Sequence, residues 1–277
     1  MAKQQEAAEK ELPGKGTAVA KAGVAGLPAD MLEKMELDAG KGVSTAAEDN
    51  LVPMIAILQD KSPQVVKKDP KYIEGCESGM IWLKGATTEF VPGEEGILVQ
   101  SCFFYRNFVE WVPREKGGGW IGVMDKVPAE AKEVVDPTNK NKIKWVMPNG
   151  NEIIDTRYHV VRVIMDDGSR PQYVIPFSST GHTVSRGWMT MMNSFKLKSG
   201  KPAPSYARLY RLKLKYKVKN NNSWWMFEPK DEGWVGSVEE YEAGLVLNTA
   251  FERQEKTADM SGMNDTGVNE PTDQGGM

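Results

Sequence analysis

A chain of 277 residues with 40% hydrophobic and 26% charged residues has a near-ordinary globular composition, slightly apolar-poor, so part of it is expected to stay unfolded. No window approaches 18 uncharged apolar residues, which excludes a membrane-spanning helix, and the opening MAKQQEAAEKELPGKG lacks the apolar stretch of a secretion signal. Two cysteines, Cys76 and Cys102, make neither a disulfide framework nor a four-thiolate metal site, so a reducing cytoplasm is the expected setting. The net charge of −3 conceals a segregation: residues 228–277 hold twelve acids and three bases, whereas Arg186 to Phe227 holds ten Lys or Arg and no acid.

Residues 1–48 contain no aromatic side chain and too little apolar surface to offset the entropy of ordering. A disordered arm is expected there, with a helical turn or two at Met31 to Leu37. From 49 to 256 the chain reads as one β domain. Leu51 to Gln59 is an apolar run too short to assign by periodicity, and Pro53 near its start suits the first turn of a helix. Ile81 to Leu83 and Gly96 to Phe108 are strands, the second rich in β-branched and aromatic residues. Asn149-Gly150 and Asp166-Asp167-Gly168 each sit between apolar segments and mark hairpins. Thr183 to Phe195 has the spacing of an amphipathic helix with Val184, Trp188, Met191 and Met192 on one face, capped by Thr180 or Thr183. Tyr206 to Lys219 alternates as a long strand, Trp224 to Phe227 is its return, and Glu239 to Glu255 is a closing helix. Residues 257–277 read as a flexible acidic tail. The fold class is mainly β with one or two helices (α+β), an OB-like small barrel or a sandwich, because strands do not alternate with helices as a doubly wound sheet requires.

The strand at 206–219 carries the most information. Its even positions are Tyr206, Arg208, Tyr210, Leu212, Leu214, Tyr216 and Val218; its odd positions end in Arg211, Lys213, Lys215, Lys217 and Lys219. Side chains alternate between faces, so one face is largely apolar and the other is a ladder of cations about 6.6 Å apart, close to the phosphate spacing of an extended single strand. Trp224 and Trp225 lie nearby, and bases stack on aromatic rings whatever their sequence. A Lys-rich face is also how an edge strand is kept from aggregating, but an ordinary surface mixes charges and this one does not. A second stretch interleaves Tyr105, Arg106, Trp111 and Arg114 before Gly117-Gly118-Gly119; it is not a phosphate loop, since no Gly-Lys-Ser/Thr follows.

Other chemistry finds little support. His159 and His182 have no partners at metal-ligand spacing, and His159 alternates with Val161 and Val163 as a buried strand residue does. The segment around Ser178 lacks the nucleophile elbow of hydrolases. Asp155, Asp166 and Asp167 are candidate ligands for a metal-dependent nuclease, although a turn accounts for the Asp-Asp-Gly run.

The segments LVPMIAILQDKSPQV, FVEWVPREKGGGW, FSSTGHTVSRGWMTMM and YARLYRLKLKYKVKNNNSWWMF resemble replication proteins of tailed bacteriophages, the single-stranded DNA-binding proteins of that group, over about Leu51 to Phe251. The resemblance implies an OB-like barrel, protection of unwound DNA during genome replication or recombination, and contact with replication proteins through an acidic C-terminal segment. The tail departs from that pattern: its acids are dilute and the sequence closes Gln274-Gly275-Gly276-Met277. The reading is a non-enzymatic protein without cofactor or metal, in the host-cell cytoplasm, that binds single-stranded DNA through Arg106, Arg114, Arg208, Arg211, Lys213, Lys215, Lys217, Lys219, Tyr105, Trp111, Tyr210, Tyr216, Trp224 and Trp225. Its rivals are a strand-annealing recombination protein, which would form a homo-oligomer, and a virion or scaffold component.

Overall fold

The computed structural model describes residues 28–38, 42, 49–85, 88–136, 139–219 and 222–260, without the side chains of 114 and 136–143. The chain divides into two units, 1–44 and 45–277. In the first, Ala29–Leu37 form helix α1 behind Pro28, with none of its residues buried. The remainder of the expected arm, and 261–277 of the expected tail, lie outside the described residues.

The second unit is mainly β, a sheet curled into a half-barrel of the α+β, OB-like class. Its axis is the antiparallel pair β5 (Ile97–Trp111) and β9 (Glu152–Ile164), which run together over almost their whole length. At one end β5 is flanked by β11 (Arg208–Lys219), itself paired with β12 (Asn222–Trp234); at the other end β5 is flanked by β6 (Trp120–Met124). β9 is flanked by β10 (Gln172–Ser178) and, at its start, by β8 (Asn139–Val146), which pairs with β7 (Lys132–Asp136). Both expected hairpins, β8–β9 and β9–β10, form at their Gly-containing turns.

A bulge decides which side chains of β5 face which layer. Ser101 opposes Val161 and Phe103 opposes Val160, so Cys102 is an extra residue. An extra residue reverses the two-residue alternation. Before it, Ile97 and Val99 join the core built with helix α2 (Gly181–Ser194) and the three-stranded sheet β2 (Ile55–Ile57), β3 (Met80–Leu83) and β4 (Glu89–Pro92). After it, Val109 and Trp111 join the core on the opposite face, under helix α3 (Val238–Glu252) and β1 (Leu51–Val52). The 51–59 run is thus extended, not helical. Pro53 sits between β1 and β2, where its carbonyl accepts the amide of Val174 at 2.9 Å.

α2 forms where its spacing predicts, burying Ser185, Trp188 and Met192. Thr180 is its N-cap residue but makes no side-chain capping bond. α3 is capped by Ser237, whose hydroxyl accepts the amide of Glu240, and is fastened by a buried polar network. Gln100 Nε2 donates to the carbonyls of Tyr206 (2.7 Å) and Glu240 (2.8 Å), while Arg162 donates to Gln100 Oε1 (2.7 Å) and to the Glu240 carboxylate (3.0 Å). Gly244 is needed there because a Cβ would stand 2.5 Å from Gln100 Nε2. The structured chain runs four residues past the expected boundary at 256: β13 (Thr257–Ala258) pairs in parallel with β1, Ala258 is buried, and Met260 packs on the same core.

Candidate nucleic-acid interface

β11 is half core strand and half free ribbon. It bonds to β5 only from Leu209 to Leu212, and the Leu214 amide donates to the Gly93 carbonyl at 2.7 Å. Beyond Leu214 only β12 pairs with it, out to Lys219 opposite Asn222. Burial follows the pairing: Tyr210, Leu212 and Leu214 are covered, whereas Lys215 to Lys219 are all exposed.

A clasp fixes the base of this ribbon. The side-chain amide of Gln59 pairs with the edge of β12 as a strand would, accepting the Trp225 amide at 2.8 Å and donating to the Trp225 carbonyl at 2.9 Å. The indole N–H of Trp225 donates to Ser78 Oγ at 3.1 Å. Its ring lies against Gly79, where a Cβ would stand 2.8 Å away.

Directly opposed residues of an antiparallel pair share a face. The odd face of β11 therefore gathers Arg211 with Lys230, Lys213 with Glu228, Lys215 with Met226, Lys217 with Trp224 and Lys219 with Asn222. Six cations stand there against Glu228 and Glu232. Arg211 meets Glu232 at 3.4 Å and Lys215 meets Glu228 at 3.1 Å. Among the described residues, Lys213, Lys217 and Lys219 have no ion-pair partner. Neighbouring cations at strand spacing repel by roughly 0.6 kcal/mol at the dielectric of water, a cost that a polyanion laid along the ladder removes. Lys230 and Glu228 did not emerge from the sequence, because only the β11–β12 register places them on the ladder.

The remaining sequence candidates divide by burial. Tyr210 and Trp111 are fully covered core residues, and burial pushes the Tyr210 hydroxyl up to about 12. Tyr105 stacks on Tyr158 at 4.8 Å and lies 6.1 Å from Phe251; burial raises its hydroxyl too. These three rings are not presented to a ligand. Arg208 is equally enclosed, forked onto Asp231 at 2.8 and 2.5 Å and held between the rings of Phe195 (3.6 Å) and Trp234 (4.3 Å). Trp225 is the anchor of the ribbon. Tyr216, 45% exposed, leans on Trp225 with ring centroids 4.9 Å apart, on the face opposite the ladder. Arg106 is exposed but forked onto Asp155 at 2.7 and 2.9 Å. Arg114 opens a 3-10 turn and its side chain is outside the described part. What comes together is the odd ladder with Trp224.

Neither histidine is placed for chemistry. His159 is sealed between Phe104, Phe177 and Trp188, with Nε2 and Ser185 Oγ 2.9 Å apart, and burial pushes its imidazole down to about 3. His182 Nε2 lies 2.9 Å from the Asp155 carbonyl, and burial lowers its pKa as well. Asp155 is separated from the exposed turn at Asp166 and Asp167 by the length of β9, roughly 30 Å, so the three carboxylates do not converge. Among the described residues no group of three His, Cys, Asp or Glu side chains is arranged to hold a metal, and no helix is long and apolar enough to cross a membrane.

A family model for the Pam3 phage gp34-like protein matches residues 20–257. The chain belongs to that family. The match spans the sheet, both of its helices and the whole ribbon, and makes this gp34-like chain a phage protein. No curated protein and no solved structure matches it significantly.

Proposed function

We propose that this gp34-like protein binds single-stranded DNA without catalysis and largely without regard to sequence, coating unwound DNA during phage genome replication or recombination in the host cytoplasm. The observation that carries the reading is the ladder Lys213–Lys219 on an anchored ribbon, with three cations that have no ion-pair partner among the described residues and with Trp224 among them. Phosphates neutralise such cations and release condensed counterions, while one indole offers a stacking platform for any base. Neither contact reads base edges, so no sequence preference follows. From Lys213 to Lys219 the ladder spans about 20 Å, three phosphate spacings of an extended strand.

The test is a titration of labelled oligonucleotide, single-stranded and duplex in parallel, over a salt series. Single strands should bind more tightly. Changing Lys213, Lys217 and Lys219 together to Ala should flatten the slope of log affinity against log salt by about two units, at about 0.7 per contact. A two-stranded ribbon also fits a duplex major groove, so equal or tighter duplex binding would sink the single-strand reading. Sizing with and without DNA separates simple coating from ring- or filament-forming annealing.

A further inference from the structure

The ladder carries a carboxylate at the place where a phosphate belongs. Glu228 lies directly across from Lys213, and its two oxygens are held by Lys215 Nζ at 3.1 Å and Lys230 Nζ at 3.5 Å. The hydrogen bond from Lys215, with the Lys230 charge adding to it, holds this carboxyl below its ordinary range. Charged oxygens accepting from two ammonium groups are what a bound phosphodiester also presents. Towards the tip, the ladder bears no acid: Lys217 faces Trp224 and Lys219 faces Asn222.

We propose that Glu228 is an intramolecular stand-in for a nucleic-acid phosphate, occupying Lys215 and Lys230 in the free protein and displaced as a single strand runs down the ladder. The inference rests on the proposed DNA binding and adds what regulates it. Both ion pairs are more than a third exposed, so water and salt screen them and displacement costs little. The exchange also changes the ion count. A phosphate arriving at Lys215 releases its counterion, but the freed carboxylate gathers one, and the two cancel. With Glu228 and Glu232 offsetting two of the six cations, the wild-type slope should reflect about four net contacts, near −3, rather than the value near −4 that six contacts would give at about 0.7 each.

The experiment measures dissociation constants of labelled oligo-dT over a salt series for wild type, Glu228→Gln, Glu228→Ala, Glu242→Gln and the double variant Lys217→Ala/Lys219→Ala. Glu242 lies exposed on α3, so its variant matches the change in net charge away from the ladder. Both Glu228 variants should bind roughly 2- to 10-fold more tightly at low salt, with slopes steeper by about 0.7 to 1.4, while Glu242→Gln stays at wild type. If the Glu228 variants match Glu242→Gln although the double variant binds weakly, the stand-in is wrong and the DNA reading stands. Weaker binding by both Glu228 variants also overturns it, since the carboxylate would then position Lys215. If wild type does not bind, or the double variant loses nothing, the DNA reading at this ladder fails and the inference falls with it.

Discussion

Replacing Arg208 with alanine removes a guanidinium that belongs to the basic strand by sequence and to the core by position. Its side chain is 8% exposed, forked onto Asp231 and held between Phe195 and Trp234. A forked, charge-assisted pair contributes about 1.5–3 kcal/mol, and each ring contact about 0.5–2 kcal/mol when shielded from water. Against this, Asp231 is 30% exposed and recovers hydration once its partner is gone. The net loss is about 2–4 kcal/mol, which for a domain of this size lowers Tm by roughly 5–15 °C. Arg208→Lys should recover only part of it, since an ammonium cannot fork onto the carboxylate while presenting a planar group to both rings. Calorimetry gives the stability, and the salt series on single-stranded DNA gives the contact count. The expected result is a large drop in Tm with an unchanged salt slope. A variant that melts within about 2 °C of wild type would show that the Asp231 and ring contacts contribute little, and a slope that falls by about 0.7 would show that Arg208 contacts phosphate.

Three further outcomes separate core from surface. Trp224→Ala should weaken single-strand binding by about 1–3 kcal/mol and, since Trp224 is half-buried, cost less stability than Trp111→Ala, which should destabilise the fold by about 3–5 kcal/mol; reversed phenotypes would put the stacking platform on β5. Ending the chain after Met260 should leave Tm unchanged, while ending it after Lys256 removes β13 and the buried Ala258 and should lower Tm; equal melting of the two would show that β13 contributes nothing. His159 has its folded pKa depressed from 6.5 to about 3, so the unfolded chain binds the extra proton and stability falls as pH drops from 6.5 towards 3, by at most about 1.4 kcal/mol per unit. Urea titrations of wild type and His159→Gln between pH 6.5 and 5 should show a shallower dependence in the variant, and parallel curves would place the imidazole in water.

The sequence shows the strands whose residues alternate or are richly apolar, and the hairpins whose turns demand glycine. It hides the strands that lack a fully buried face. β6 keeps Ile121 and Val123 exposed and β7 keeps Val134 and Val135 exposed, so neither has the contrast by which a half-buried strand is recognised. The ladder was legible because alternation is a local property of one strand. The aromatic candidates were not, because burial is decided elsewhere. The extra residue at Cys102 turns Tyr105 and Trp111 towards α3, and no spacing in β5 announces it. Tyr210 and Tyr216 occupy equivalent positions, yet one is core and the other exposed, because β5 stops pairing with β11 at Leu212. Glu228 is equally invisible without the register, since fifteen residues separate it from Lys213.

Position along the ribbon orders the charges in a way that composition alone does not. The acids gather at the base, where Asp231 holds Arg208, Glu232 meets Arg211 and Glu228 bridges Lys215 and Lys230. The tip holds Lys217 and Lys219 with no acid opposite. Positive potential therefore rises outward along the ribbon, and an approaching polyanion is drawn first to the part of the ladder that has no carboxylate to displace. On the proposed binding mode, Lys215 and Arg211 would each exchange an internal carboxylate for a phosphate, and those steps would gain less than the steps at Lys217 and Lys219. Affinity in such an arrangement is set chiefly at the tip. The clasp of Gln59 on Trp225 holds the base of the ribbon in place and keeps Trp224 and Lys217 opposed on one face, where the proposed strand would meet one ring and one cation together.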